Sequence, residues 1–135
     1  MSPRTTFLSK LIGIYSILVS LSMITHKQAT VEMVTALIHN PPVVFVVSVM
    51  AMAAGLAMVL GHNVWSGGAL PVIVTLIGWW TLVKGLLFLF LSPEGASAFF
   101  LGGLHYEQLF YLYAGISLLL GIYLTYGGLR QQRAK

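Results

Sequence analysis

From Met33 to Val83 the chain runs for 51 residues without a formally charged side chain. Within that stretch the apolar positions are nearly continuous. The segment PPVVFVVSVMAMAAGLAMVL shows neither the period-two alternation of a barrel strand nor the polar face of a soluble helix. About 20 apolar residues carry a helix across roughly 30 Å of hydrocarbon at 1.5 Å per residue. In lipid the backbone must satisfy its own polar groups, which leaves helices or a closed barrel, and the missing alternation selects helices. The pattern therefore predicts an all-α, polytopic membrane protein, a four-transmembrane-helix bundle forming one domain over residues 1–135.

The four spans are expected from about Thr5 to His26, Pro41 to Leu60, Leu70 to Leu91 and Glu107 to Gly128. Asn40 is placed to cap the second, with Pro41 and Pro42 in a first turn that leaves its N–H groups unpaired anyway. Between the first two spans, Gln28, Glu32, Thr35 and His39 fall on one helical face, and Val31, Val34, Leu37 and Ile38 cover the rest. That pattern predicts a short amphipathic helix, about residues 28–39, lying in the membrane interface. Gly67 and Gly68 break the chain before the third span, Trp65 is read at headgroup level, and the segment SPEGASAFFLGGLHY is read as packing back on the bundle.

Small residues mark helix contacts. Ser9, Gly13, Ser16 and Ser20 form one stripe on the first span, and Ala51 with Gly55, Ala53 with Ala57, Gly78 with Gly85, and Gly121 with Gly128 recur at four- or seven-residue spacing. Met50, Met52 and Met58 are read as gap fillers, Tyr123 and Tyr126 as interface residues. Shifting the second span by 30 residues aligns Pro41 with Pro71, Gly55 with Gly85 and Leu56 with Leu86, which in so apolar a sequence does not establish a repeat.

Composition adds to this picture mainly by exclusion. The chain is 58% hydrophobic and 7% charged, where a soluble domain has roughly 25% charged residues. Without cysteine there is no disulfide, thiolate metal site, iron–sulfur ligation or Cys-x-x-Cys-His haem attachment. The net charge of +4 does not point to nucleic acid, because the basic residues cluster at the termini. Arg4, Lys10, Arg130, Arg133 and Lys135 share one side of the predicted bundle and Lys27 lies opposite, which places both termini in the cytoplasm of what reads as a bacterial inner-membrane protein. The first apolar run lacks a small-x-small cleavage site and is expected to be a retained helix.

Lys84 is the charge set deepest inside a span. It lies about 14 residues, roughly 21 Å, from the start of its helix and about 8 residues, roughly 12 Å, from the other edge. A lysine stem reaches about 6 Å, so snorkelling falls short, and the insertion penalty is about 2.5–3.5 kcal/mol. Something should offset it. Glu107 is the expected partner, if the third and fourth spans face each other, with His105 sharing the pair and Trp80, four residues before Lys84, offering a cation–π contact. Glu32, His39 and His26 are secondary candidates on the same side, more simply read as a solvated surface. No ligand spacing supports a metal, and no haem or other cofactor is expected.

Three functions compete. The first is a non-enzymatic packing or accessory subunit, as a homo-oligomer or within a larger membrane complex. The second is a small oligomeric transporter or channel using Lys84 and Glu107. The third is an outer-leaflet enzyme working through Glu32, His39, His105 and Glu107, for which no nucleophile–base spacing speaks.

Overall fold

A computed structural model of the chain describes residues 2–103 and 108–133. Four helices long and apolar enough to cross a membrane are α1 (Pro3–Thr25), α3 (Pro41–Gly61), α4 (Ala69–Phe90) and α6 (Phe110–Arg133). A twelve-residue α2 (Lys27–Ile38) joins α1 to α3, and α5 (Pro93–Ser97) with a π-helical turn (Ala98–Gly103) follows α4. No strand occurs among the described residues.

The starts follow from local chemistry. Asn40 Oδ1 accepts from Val43 N, with Pro41 and Pro42 next in line as the sequence predicts. The same arrangement opens α1, where Ser2 Oγ accepts from Thr5 N at 3.2 Å before Pro3, and α5, where Ser92 Oγ accepts from Gly95 N at 3.0 Å around Pro93. The turn into α4 runs through Gly67 at φ 90° and Gly68 at φ 117°, a conformation that side-chain-bearing residues rarely adopt.

The helices associate as two antiparallel pairs, α1 with α6 and α3 with α4, which meet mainly where α4 touches α1. Glycines set the closest approaches. A Cβ on Gly85 would stand 2.5 Å from Met52 N, and one on Gly55 would overlap the backbone of Leu82. On the other pair, Gly121 would meet Gly13 O at 2.9 Å, and Gly13 would run into Thr125. The first-span stripe is therefore a packing face: Ser9, Gly13 and Ser20 are buried, and Ser9 Oγ donates to Leu124 O across the interface. Ala53 and Met50 depart from expectation, being exposed on α3, and Ala57, also exposed, lines a groove with Phe7 and Leu8 of α1, whereas Ala51 and Gly55 face α4.

The main cluster of buried side chains is Leu70, Val74 and Leu124, flanked by Leu8, Ile12, Met58, Ile73, Ile77 and Leu120, in the half of the molecule that carries the chain termini. Ile38, Ala96, Phe110 and Ala114 are buried towards the other end. The recorded approach of α4 to α6 is in the terminal half too, where Gly127 lies against the Leu70 side chain.

Candidate functional site

At the other end, α2, α3, α4 and the π-helical turn enclose a cavity of about 190 Å³. Val34, Leu37 and Ile38 close it from α2, and the small residues Ser48, Ala51 and Gly85 keep its floor open. One wall is Phe88, whose ring meets Phe99 edge-on at 6.0 Å and Phe100 at 6.3 Å. The segment after α4 thus does fold back on the bundle, through these rings.

Lys84 belongs to this cavity and is the charged residue among its lining. Its side chain is exposed, as is that of Val47, which also lines the cavity. Six residues separate it from the end of α4 at Phe90, roughly 9 Å along the axis. It has no hydrogen-bond or ion-pair partner among the described residues. Ser48 Oγ, the other polar group in the lining, donates to Val44 O of its own helix at 2.6 Å.

Glu107 and His105 lie outside the described residues. The described part of the fourth span runs along α1 rather than along α4, and Lys84 lines its cavity with residues of α2 and α3. Trp80 is 62% exposed one turn before Lys84, and a cation–π contact among the described residues forms elsewhere, with Lys27 Nζ at 4.8 Å over Tyr111. The secondary candidates do not converge. His26 Nδ1 is 3.0 Å from Thr25 Oγ1, His39 Nδ1 is 2.8 Å from Thr35 O, and Glu32 accepts from Gln28 Nε2 at 2.9 Å, each within its own segment. No cluster of three metal-ligating side chains forms among the described residues.

A second polar centre went unread in the sequence. His62, just past α3, is 3% exposed, with Nε2 at 2.7 Å from Thr5 Oγ1 and Nδ1 at 3.1 Å from Thr75 Oγ1. Thr75 Oγ1 also accepts from Val64 N at 3.0 Å, and Arg4 donates to Gly61 O at 3.2 Å. Asn63 Oδ1 accepts from the indoles of Trp65 and Trp79 at 2.7 and 3.3 Å. These bonds join the first turn of α1 to the α3–α4 turn, and every polar atom named has a protein partner, so the arrangement serves architecture.

No protein-family model, curated protein or solved structure matches the chain.

Proposed function

We propose that this is an integral membrane protein that works by association rather than catalysis, as a packing or assembly subunit. In this reading it lies in a bacterial inner membrane with both termini cytoplasmic and α2 along the opposite interface. The observation that carries it is where the polar side chains of the spans find their partners. Ser9 bonds Leu124 O, Ser48 bonds Val44 O, Thr81 bonds Ile77 O, and Thr5 and Thr75 bond His62. Ser9, Thr5 and Thr75 are occupied in joining the chain's own segments, and Ser48 and Thr81 bond within their own helices. Ser20 Oγ and Thr125 Oγ1 are buried without a partner among the described residues, but both lie in the spans α1 and α6, away from the cavity lining.

The outward faces support lateral contact. On α6, Leu112, Ile116, Leu119, Tyr123 and Tyr126 are exposed at alternating spacings of four and three, and Phe7, Leu11, Ile14, Leu18 and Leu21 repeat the pattern on α1. That is the spacing of a helix–helix seam. A tagged full-length chain, extracted gently from its own membrane, is expected to migrate as an oligomer or inside a larger assembly on native electrophoresis. A lone monomer would refute the reading.

Lys84 in a cavity favours one alternative, a small oligomeric transporter in which Lys84 and Glu107 form the polar pair. Reconstituted flux lost in Lys84→Met, together with coupling between Lys84→Met and Glu107→Gln in a double-mutant cycle, would select it over the assembly role.

A further inference from the structure

We propose that the cavity beneath α2 binds the acyl chain of an anionic amphiphile, whose carboxylate or phosphate pairs with Lys84. The chemistry of the lining points to this class. Val34, Leu37, Val44 and Phe88 offer only hydrocarbon, and Ser48 has its proton committed to Val44 O. Among the described residues no acidic side chain lines the space. The carboxylate of α2, Glu32, is exposed and bonded to Gln28 on a different face from Val34, Leu37 and Ile38. A positive charge at an apolar cavity is matched by a ligand that is negative at one point and hydrocarbon elsewhere.

Size and access agree. The cavity of about 190 Å³ is smaller than the roughly 300–1,000 Å³ of sites that enclose a whole small molecule, so it suits a stretch of chain whose remainder stays in the bilayer. Exposed Val47 and Lys84 mark an opening on the side of the helix pair, which a lipid reaches by lateral diffusion. Lys84 lies roughly 9 Å below the end of α4, beyond its own reach of about 6 Å, so the anion dips below the headgroup region to meet it. An inorganic anion would meet the same ammonium but would leave the hydrocarbon lining unmatched.

Trp80 lies one turn from Lys84 and is exposed, which makes it a reporter. Full-length protein carrying Trp65→Phe and Trp79→Phe is reconstituted in phosphatidylcholine vesicles doped with brominated phosphatidylglycerol or brominated phosphatidylcholine. The anionic lipid is expected to quench Trp80 at about fivefold lower mole fraction, the scale of one basic side chain's attraction to an anionic lipid. Lys84→Met should abolish that preference and Lys84→Arg retain it. Val47→Phe, at the exposed rim, should weaken it with the ammonium still present. Four results would overturn the inference. Equal quenching by both lipids is what prior pairing of Lys84 with Glu107 predicts. A preference that survives Lys84→Met, or one indifferent to Val47→Phe, reduces the effect to general surface attraction. Loss of preference on adding inorganic phosphate, but not chloride at equal ionic strength, makes this a free-anion site. The inference does not rest on the assembly reading, and the readout holds for monomer and oligomer alike.

Discussion

His62 shows how a single buried side chain can order a helix end. Thr75 Oγ1 has two carbonyls in reach for its proton, Val64 O at 2.9 Å and Pro71 O at 3.0 Å. With that proton on a carbonyl, Nδ1–H of His62 donates to Thr75, Nε2 accepts from Thr5, and Thr5 accepts from Ser2 Oγ at 2.9 Å. The bonds then run in one direction from the chain's second residue to the α4 backbone. Thr75→Val removes an acceptor from Val64 N as well as the bond to His62, so it should cost about 1–3 kcal/mol, the penalty for leaving buried polar groups unmatched. Thr5→Val should cost less, since it leaves His62 Nε2 alone unmatched while Ser2 stays near water, and Ser9→Ala only about 0.6 kcal/mol, the mean for an interhelical bond in a membrane protein. Unfolding in mild detergent reads all three, and a Thr75 variant more stable than the Thr5 variant would refute this order. Residues 5, 62 and 75 are joined only by tertiary packing, and a threonine in an apolar helix gives no periodic signal, so the sequence offered no route to this centre. Lys84 is different: its isolation within a span was legible, but the direction it faces depends on which helix packs beside α4.

At the scale of helices, the close pairs depend on positions where a side chain has no room. Gly55 lies against Leu82 and Gly85 against Met52, and a shift of 30 residues exchanges the two contacts. The alignment too weak to establish a repeat in the sequence thus corresponds to a local two-fold relation between antiparallel α3 and α4. Gly55→Val and Gly85→Val should each cost about 1–3 kcal/mol or more, because the obstacle is backbone that cannot rotate away. Gly115, with open space around its Cα, is the control. Gly115→Ala should be neutral or stabilise by up to about 1 kcal/mol through helix propensity. Equal destabilisation by all three, measured by the same unfolding assay, would show that the glycines do not set the helix spacing. The sequence marked these positions by their four- and seven-residue spacing. It could not separate Ala51 and Gly55, which face α4, from the exposed Ala53, because α3 is apolar on every side.

Across the whole molecule, two independent arguments bear on sidedness. The proposed cytoplasmic position of the termini rests on where the basic residues lie, and the bonds from Arg4 to Gly61 O and from Thr5 to His62 hold the start of α1 at the same end as the α3–α4 turn. Four crossings then put α2 and α5 at the opposite end, where the cavity lies. A chain with no native cysteine permits a direct test, since any introduced thiol is unique. Exposed Ser66 and Gln131 suit the terminal end, and exposed Met33 and Glu94 the other. A membrane-impermeant maleimide added to intact spheroplasts is expected to label Met33→Cys and Glu94→Cys. Ser66→Cys and Gln131→Cys should react only once the membrane is opened or inverted. Labelling of Ser66→Cys and Gln131→Cys from opposite sides would break the four-span arrangement itself. Labelling of all four in the reverse sense would keep the fold and overturn only the charge argument, moving Lys84 and its cavity to the cytoplasmic leaflet, where an anionic lipid would have to be supplied from that side.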